Sequence, residues 1–543
     1  MTKPYMKRQL ISFISLCFPL CIHAQYVSEV WNPDNGDGTY TNPVLNADYS
    51  DPDLCAVGED YYLTASSFAH IPGLPILHSR DLVNWELIGH ALQSQFPESK
   101  APEHGKGVWA PSIRHHNGEF YIYWGDPDRG VFMVKAKDAS GPWNEPVCVI
   151  PGKGMIDTCP LWDDDGRCWL VNGWANSRCG FNSILTVREL SADGMRPISN
   201  PVIVFDGGNV NYTTEGPKFY KRDGWYWIMC PAGGVEKGWQ LAMRSKSPLG
   251  PYESKTVLAQ GKTAINGPHQ GGWVHTPYGE DWFLHFQDKG AYGRVVWLQP
   301  VDWSSGWPIM GDKGEPLTTY RKPKSSSTTN INPQESDEFN APKLGLQWQW
   351  QGDYNQLYGM PTADGFLRLF TYRHPSTDNL WTVPAMLLQK TPADVFTATT
   401  KIRLAAKAEK QYGGIVVMGR GYSSLVVERV GDMFQLQQRT CPKADTGGKE
   451  TVTVLETFKP TAKDKLDYHP ALYMDIYLRL TVDGGKATFA YSLNGKTYKA
   501  AGEQFTMREG KWVGAKVGLY AIDNNEKSDV GLLDADWFRI GKK

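Results

Sequence analysis

The sequence predicts an all-β protein, a five-bladed β-propeller followed by a β-sandwich of the jelly-roll or concanavalin-like kind. Its 55 glycines and 36 prolines are 91 of 543 residues, well above the average share of about 12% and typical of a chain rich in tight turns. One strand–turn–strand pattern recurs five times in the first 315 residues, and no long amphipathic helix competes with it. At this length two domains are expected.

Each copy of the recurring pattern begins with a residue that lies close to a proline. A strand, a turn that contains Gly or Asp, and a strand rich in aromatic residues follow in that order. The copies begin at Asp51, Ala110, Asp157, Glu215 and His269, which are 59, 47, 58 and 54 residues apart. The Asn-Gly and Asp-Gly pairs between the strands are hairpin signals. A four-stranded unit of about 50 residues that repeats in this way is a propeller blade. We therefore predict a propeller domain over residues 25–315.

The repeat disappears after residue 315. Residues 316–335 are polar and include a Lys/Ser/Thr-rich run, so we predict a linker. Alternating strands return at 396–404 and 476–491, the second as a hairpin around Asp483-Gly484-Gly485. Residues 336–543 are therefore predicted to form a β-sandwich accessory domain.

The first 24 residues have the pattern of an export signal. Three basic residues precede an apolar stretch at 10–22, and Ala24 offers a cleavage point before Gln25. Because the apolar stretch is shorter than the roughly 20 residues that cross a bilayer, a signal peptide at 1–24 is favoured over a membrane span. A lipid anchor on Cys21 is disfavoured by the bulky Leu20 before it. The mature protein is expected to be periplasmic or secreted.

The net charge and the cysteine content give no indication of nucleic-acid binding, of binding to an anionic membrane or of a zinc site. A net charge of −2 gives no electrostatic reason to expect nucleic acid or an anionic membrane surface as a partner. The cysteines that remain after signal removal are odd in number and lack the spacing of a zinc site. The sequence leaves open whether any of them pair and which oligomeric state the protein adopts.

Three acids occupy equivalent positions in the repeat: Asp51, Asp157 and Glu215. The first strand of each blade lines the propeller axis, so these side chains are expected to meet at one end of the ring. Crowding drives the pKa values of neighbouring carboxyl groups apart, which suits one of them to act as an acid and another as a base. Glycoside hydrolysis uses such a pair. Each acid alone has a simpler explanation as a turn or strand-edge residue, and it is their shared register that favours catalysis.

The residues around these acids resemble glycoside hydrolase family 43, five-bladed enzymes that act on β-xylosides and α-L-arabinofuranosides. The resemblance rests on the segments 42–45, 51–53, 61–63, 66–68, 78–85, 109–111, 140–143, 156–157, 214–217 and 269–288. The C-terminal half is similar to the β-sandwich of many β-xylosidase-like members. The resemblance thus covers nearly the whole chain after residue 40.

That resemblance implies an inverting, exo-acting glycoside hydrolase for terminal β-D-xylosyl or α-L-arabinofuranosyl residues of plant cell-wall oligosaccharides or polysaccharides. Asp51 matches the general base, Asp157 the residue that modulates and orients the acid, and Glu215 the general acid. Asp53 is the nearest rival for the base. Inversion implies carboxyl groups roughly 6.5–9.5 Å apart, with room for a water. No cofactor is required for this chemistry.

Four further residues match positions that contact substrate in the family. Phe68 and Trp109 match rings that wall the sugar pocket, and Arg294 matches an arginine that reaches the sugar hydroxyls and the modulating carboxylate. His269 matches an axial histidine below the substrate, often beside a water or calcium. Each has an alternative explanation, as hydrophobic core for the rings, a paired strand residue for Arg294 and a hydrogen-bonded core residue for His269.

Specificity stays open at this stage. His70 and Ile71 stand where xylosidase-like members often carry large aromatic side chains, which leaves the leaving-group side of the pocket undetermined. The sequence does not separate a xylosidase from an arabinofuranosidase, because the two sugars offer similar hydroxyl groups to one pocket. Linkage and branch preference are equally open.

A structural calcium site is a further expectation in the sandwich. Asp337 and Asp536 lie near the predicted first and last strands, which come together in similar sandwiches, and carboxylate oxygens are ligands that calcium prefers. The alternative is that both are solvated charges at strand ends.

Two other functions are considered. A retaining fructoside hydrolase on a similar fold would have Asn-Asp-Pro-Asn at the first strand and Glu-Cys at a later one, whereas this chain has Ser50-Asp51-Pro52-Asp53 and Glu215-Gly216. A non-catalytic glycan-binding propeller with a lectin-like sandwich predicts the replacement of at least one acid, and all three are present.

Overall fold

A computed structural model of the chain describes residues 25–95, 98–99, 101–374, 379–464, 471–526 and 529–543. The predicted signal peptide, 1–24, lies outside these residues. No helix in the described ranges is long and apolar enough to cross a membrane. Cys55, Cys148, Cys159, Cys168, Cys179 and Cys230 are free thiols.

The N-terminal domain is a ring of five antiparallel sheets with four strands each, which confirms the predicted propeller. A short strand, β1 (Thr39–Thr41), precedes the ring. The blades are formed, in chain order, by β2 (Asp53–Val57), β3 (Asp60–Thr64), β4 (Gly73–Ser79) and β5 (Glu86–Leu92); β6 (Trp109–His116), β7 (Glu119–Asp126), β8 (Gly130–Ala136) and β9 (Val147–Pro151); β10 (Met155–Trp162), β11 (Cys168–Trp174), β12 (Ile184–Leu190) and β13 (Val202–Asp206); β14 (Lys218–Arg222), β15 (Trp225–Ala232), β16 (Trp239–Ser245) and β17 (Glu253–Ala259); and β18 (His269–His275), β19 (Asp281–Asp288), β20 (Arg294–Asp302) and β21 (Ile309–Met310). The helical segments are α1 (Asn176–Cys179) and a 3₁₀ turn, Gly290–Tyr292.

The N-terminal segment closes the ring against the last blade. Leu45 exchanges backbone hydrogen bonds with Val296 of β20, and the Asn42 side chain donates to Leu298 O and accepts from Leu298 N. The fifth blade is thereby held to the chain that leads directly into the first, so the ring has no open seam on this side.

The propeller core lies between neighbouring blades. Apolar side chains of facing sheets form separate clusters around the ring, and the aromatic strands of the repeat supply much of each cluster. Trp169, Trp227 and Trp282, which recur at similar places in the repeat, are all buried. These tryptophans therefore pack the blades and do not offer surfaces to a sugar.

The innermost strands begin with unusual backbone geometry at the same end of the ring. Asp51, Ala110, Asp157, Gly216 and Gln270, one in each blade, have φ between +35° and +60°. Strand register shifts within the first residues of β6, β10 and β18, as in a β-bulge. Such bulges re-aim side chains at strand ends, and here the side chains that they re-aim face the mouth of the ring.

The C-terminal domain is a β-sandwich of two eight-stranded sheets, as predicted. One sheet contains β23 (Gln349–Trp350), β26 (Tyr372–Arg373), β27 (Met386–Lys390), β29 (Gln411–Met418), β30 (Tyr422–Val430), β31 (Met433–Cys441), β32 (Thr451–Phe458) and β37 (Lys516–Asp523). The other contains β24 (Gly359–Pro361), β25 (Leu367–Phe370), β28 (Val395–Ala406), β33 (Ala462–Lys463), β34 (Leu472–Asp483), β35 (Lys486–Ser492), β36 (Lys499–Thr506) and β38 (Leu532–Gly541). Two 3₁₀ turns, Leu380–Thr382 and Ala444–Thr446, lie in its loops, and one large apolar core fills the space between the sheets.

The segment between the domains, 316–335, lies against the propeller. It contains β22 (Thr319–Arg321), which pairs with β1. Backbone hydrogen bonds also join the two domains, because the N–H groups of Ile71 in the propeller and Trp350 in the sandwich each donate to the other residue's carbonyl oxygen. The sandwich is therefore built onto the propeller.

Candidate active site

One pocket of about 250 Å³ opens where the innermost strands begin. Its lining comes from all five blades and from one loop of the sandwich: Asp51, Phe68, Trp109, Ala110, Ile156, Asp157, Thr213, Glu215, Gly234, Val235, Gln270, Arg294 and Trp512. The three predicted acids, both predicted rings and Arg294 are among these residues. The three acids that hold equivalent positions in the sequence repeat therefore lie together in one pocket.

Asp51 is held by donors on several sides. Arg294 Nη1 lies 3.1 Å from its Oδ1, and the hydroxyl groups of Ser50 and Ser66 donate to its Oδ2 at 2.7 and 2.6 Å. Ser66 Oγ also accepts from Ala110 N, which ties the first blade to the second. Asp51 is 5% exposed, so its orientation is fixed by these groups rather than by solvent.

Asp157 and Glu215 form a second acidic group in the pocket lining. Asp157 Oδ2 accepts from Gly216 N at 2.7 Å, so the residue after Glu215 is bonded directly to Asp157. Burial and the negative charge of neighbouring carboxyl groups raise the pKa of both side chains, and for Glu215 the largest charge contribution comes from Asp157. Two acids that repel each other lose their protons in separate steps. This pair therefore retains a proton at a pH where isolated carboxyl groups have lost theirs.

His269 lies behind the pocket and is fully buried. Its Nε2 is 3.5 Å from Glu215 Oε1, and neither ring nitrogen has a hydrogen-bond partner among the described residues. Burial, with a smaller contribution from the charge of Arg294, lowers the pKa of His269 to about 3. A neutral imidazole therefore lies beside Glu215, and His269 is absent from the pocket lining.

Aromatic side chains form one wall. The Phe68 and Trp109 rings meet edge to face with centroids 6.1 Å apart, and the Arg178 guanidinium lies 5.3 Å from the Trp109 ring. Trp109 Nε1 donates to Gly105 O, which fixes the plane of the indole. Both predicted rings are thus at the pocket, held by specific contacts.

Trp512 and Gln270 are among the lining residues that were not predicted. Trp512 reaches the pocket from the sandwich, with its ring 6.2 Å from Trp109 and 39% of its surface exposed. Gln270 follows the predicted His269, and its buried Nε2 has no hydrogen-bond partner among the described residues. The repeat register in the sequence points to His269 rather than Gln270, whose positive φ appears only in the structure, and nothing in the sequence near Trp512 relates it to the blades.

Asp53, the rival for the base, has a different environment. Its Oδ2 accepts from Ile113 N and from Arg114 Nη1 at 2.9 and 2.6 Å, inside the ring and away from the pocket lining. His70 and Ile71 are also absent from the lining. They are buried where the propeller meets the sandwich, so they do not shape the leaving-group side directly.

The expected calcium ligands do not suit a cation. Asp337 accepts from Phe339 N, Gly345 N and Trp348 Nε1, and Asp536 pairs with Lys401 Nζ at 2.7 Å. Both carboxylates are thus occupied by N–H donors, although Asp337 is bonded to Phe538, two residues from Asp536. In the described ranges no three His, Cys, Asp or Glu residues form a group that would hold a metal ion. The structure gives the calcium expectation no support.

The arrangement suits acid–base chemistry on a small neutral ligand. A carboxylate bonded to an arginine and a carboxyl pair with raised pKa face one cavity with an aromatic wall. Such a set can remove a proton from water on one side of a bond and donate a proton on the other.

Known proteins with the same organisation are glycosidases. Residues 40–308 match glycosyl hydrolases family 43, and residues 336–541 match the β-xylosidase C-terminal concanavalin A-like domain. A putative β-xylosidase of Xylanibacter ruminicola is 35% identical over 89% of this chain and 86% of its own, and a non-reducing-end α-L-arabinofuranosidase of Bacteroides ovatus is 28% identical over 92% and 94%.

Solved structures agree on the fold. A xylan β-1,4-xylosidase from Bacillus halodurans superposes with a TM-score of 0.81 at 24% identity, over 92% of this chain and 100% of that one. The Bacteroides ovatus protein described as Xyloglucan PUL GH43B gives 0.78 at 27% identity, over 93% and 100%. Matches to both domains, and a relative that is more than 30% identical along most of the chain, show what the pocket belongs to. The chain is a glycoside hydrolase and a member of glycosyl hydrolases family 43.

Proposed function

We propose that this enzyme is an inverting, exo-acting glycosidase that releases terminal β-D-xylosyl or α-L-arabinofuranosyl residues from plant cell-wall saccharides. The observation that carries the proposal is the meeting of Asp51, Asp157 and Glu215 in one pocket, with the Asp157–Glu215 pair retaining a proton. The names of the relatives, β-xylosidase and α-L-arabinofuranosidase, support these two sugars.

In this proposal Asp51 is the general base. It removes a proton from the water that attacks the anomeric carbon, and Arg294 and the two serine hydroxyl groups keep the carboxylate aimed at that water. A base that is 5% exposed and bonded on several sides keeps its orientation through the reaction, which lowers the entropic cost of the attack.

Glu215 is the general acid in the same proposal. It donates its proton to the leaving oxygen as the glycosidic bond breaks, and because the activated water attacks the anomeric carbon directly, no glycosyl–enzyme intermediate forms. Asp157 modulates it in two ways. Its charge favours the protonated form of Glu215, and its bond to Gly216 N fixes the backbone from which Glu215 projects.

Phe68, Trp109, Trp512, Gln270 and Arg294 are the proposed substrate contacts. The pocket is small and is walled by rings on one side, which favours a terminal sugar over an internal one. The unpartnered Gln270 amide is available to a sugar hydroxyl group. The chemistry needs no cofactor, and we propose that the signal-like segment 1–24 exports the enzyme to its polymeric substrate.

The test is hydrolysis of p-nitrophenyl β-D-xylopyranoside and p-nitrophenyl α-L-arabinofuranoside, with the product anomer followed by proton NMR. We expect the first sugar released to be α-xylose or β-arabinose. Glu215→Gln is expected to lower kcat by about 10²–10⁴-fold on alkyl glycosides, because proton donation contributes rate enhancements of this order. It should affect substrates with acidic leaving groups much less.

The early appearance of β-xylose or α-arabinose would instead mean retention and would overturn the mechanism. Hydrolysis of neither pentoside would overturn the substrate class. Equal losses on good and poor leaving groups would remove the acid role from Glu215. Glu145→Gln, on an exposed loop of the second blade, is the matched control and is expected to behave as wild type.

A further inference from the structure

A buried carboxylate joins the two domains directly beside the active site. Asp48 lies three residues before Asp51 and is 3% exposed. Its Oδ1 accepts from Arg294 N at 2.9 Å and its Oδ2 accepts from Gly514 N at 3.0 Å. One side chain therefore holds a backbone N–H of the propeller and a backbone N–H of the sandwich.

The propeller backbone at Gly293 and the sandwich backbone at Gly514 lie in close contact beside Asp48. A Cβ on Gly293 would lie 2.5 Å from Asp48 Oδ1 and 2.6 Å from Gly514 N, and a Cβ on Gly514 would lie 2.5 Å from Tyr292 O. Ala515 N donates to Ala291 O at 2.7 Å in the same contact. Only glycine at both places allows the carboxylate to reach the two N–H groups at once.

Each of the two backbone segments carries a side chain of the pocket. Arg294, whose N–H is bonded to Asp48, places its guanidinium on Asp51. Gly514 follows Trp512 by two residues, and Trp512 places its ring against Trp109. Trp512 has a φ of +66°, so its backbone is held in a conformation that a tryptophan rarely adopts alone.

We propose that Asp48 is a positioning residue for the hydrolase, which fixes the Arg294 and Trp512 walls of the pocket relative to each other. It touches neither substrate nor reacting atoms, and it acts through the two N–H groups that it accepts. The proposal rests on the proposed function, because it assigns Arg294 and Trp512 to sugar binding. A charged acceptor gives strong hydrogen bonds, and small displacements of catalytic groups cost large factors in rate.

The chain offers a matched control for simple domain adhesion. Asp353 of the sandwich accepts from the backbone N–H groups of Gln95 and Ser99 in the propeller, at 2.6 and 2.7 Å. It is also a carboxylate that spans the interface with two backbone bonds, but none of these three residues lines the pocket. In Asp48→Asn and in Asp353→Asn, one of the two carboxylate oxygens that accept a backbone N–H becomes an amide group, which donates a hydrogen bond and cannot accept one.

The first measurement is steady-state kinetics on the better of the two aryl pentosides. We expect Asp48→Asn to lower kcat/KM at least tenfold and Asp353→Asn to change it less than twofold. In a Trp512→Ala background, Asp48→Asn is expected to lose its effect on KM and keep its effect on kcat, which acts through Arg294. Equal losses of kcat/KM in Asp48→Asn and Asp353→Asn would overturn the proposal. So would a double variant in which the effects of Asp48→Asn and Trp512→Ala on KM simply multiply.

The second measurement needs no substrate. Hydrogen–deuterium exchange should speed up in peptides that cover 289–294 and 508–515 in Asp48→Asn and stay unchanged there in Asp353→Asn. Gly514→Ala opens the same contact from the sandwich side and should reproduce both the kinetics and the exchange, should Asp48→Asn fail to fold. Unchanged exchange in a variant that folds would refute the positioning role.

These two measurements separate the two proposals. Faster exchange together with no pentoside hydrolysis by wild type would support the role of Asp48 and refute the substrate class. Normal wild-type hydrolysis together with unchanged exchange and kinetics in Asp48→Asn and Gly514→Ala would support the substrate class and refute the role of Asp48.

Discussion

Glu215 and Asp51 are both carboxyl groups of one pocket, and their neighbours give them different chemistry. Asp51 has an arginine and two hydroxyl donors within hydrogen-bond distance. Glu215 has a neutral histidine at 3.5 Å and another carboxyl group as its main charged neighbour. Asp51 and Glu215 therefore differ in their acid–base properties because the residues that surround them come from different blades.

The charge of Asp157 on Glu215 gives a pH prediction. Asp157 raises the pKa of Glu215, so removing that charge with Asp157→Asn lowers this pKa. An acid with a lower pKa loses its proton at lower pH, and the alkaline limb of the kcat/KM profile is expected to move to lower pH. We also expect kcat at the optimum to fall, since Asn at 157 no longer favours the protonated form of Glu215. The measurement is a pH–rate profile on an aryl pentoside.

Asp128→Asn is the control for that profile. Asp128 pairs with Arg178, which lies over Trp109, so the variant changes charge near the pocket without touching Glu215. Its alkaline limb should coincide with that of wild type. An alkaline limb that stays in place in Asp157→Asn, or moves to higher pH, would mean that Asp157 does not set the proton affinity of the acid.

At the scale of the elements, the beginning of each inner strand makes the site. A residue with positive φ at this point in all five blades turns the backbone, and each of these residues, or in the fourth blade its neighbour Glu215, lines the pocket. The repeat marks these positions in the sequence because the same hairpin follows each one. The three acids were therefore predictable from spacing, whereas Gln270 was missed because the turn shifts the pocket position by one residue in the last blade.

Trp512 shows where prediction from sequence ends. It reaches the pocket from a sandwich loop, and the contact depends on how two domains pack, which no local pattern encodes. The same reason explains Ile71, whose backbone pairs with Trp350 of the sandwich, and its buried neighbour His70. Periodicity and turn chemistry specify the blades, but the domain interface is specified by surface shape that only the folded chain displays.

The loop around Trp512 is therefore a part of the pocket that can be tested alone. Trp512→Ala removes an aromatic contact with Trp109 and one wall for the sugar. Because such contacts contribute about 0.5–1.5 kcal/mol, KM is expected to rise by up to about tenfold with kcat within about twofold. Trp537→Ala, at a half-buried tryptophan on the outer face of the sandwich, is the control and should leave KM unchanged. A large fall in kcat with normal KM would contradict a binding role.

At the scale of the whole molecule, the two domains share buried polar groups. His104 of the propeller stacks on Trp381 of the sandwich with ring centroids 3.5 Å apart, and Gln349 of the sandwich accepts from Lys516 at 2.8 Å and donates to Pro72 O of the propeller at 2.8 Å. Lys390 is the direct cross-strand neighbour of Lys516. No ion pair to either lysine is present among the described residues, and Asp48, the carboxylate whose charge acts on both, already accepts two backbone N–H groups.

These lysines make stability depend on pH in a defined direction. Burial, and then the charge of Lys390, lower the pKa of Lys516 well below its usual value. Between the folded and unfolded pKa values the unfolded chain binds more protons, so stability rises with pH in that window, by at most about 1.4 kcal/mol per pH unit for one group. Below the folded pKa both states are protonated, and the full cost of burying the charge is present.

Lys516→Met is expected to remove that dependence. Methionine fills a similar volume without a charge, so the free energy of unfolding in urea should vary less between pH 7 and 9.5 than in wild type. The lost bond to Gln349 lowers stability equally at every pH, and it therefore shifts the curve without changing its slope. Lys496→Met, at an exposed hairpin turn of the sandwich, should keep the wild-type slope. A slope that is the same in all three proteins would mean that Lys516 gains no proton on unfolding.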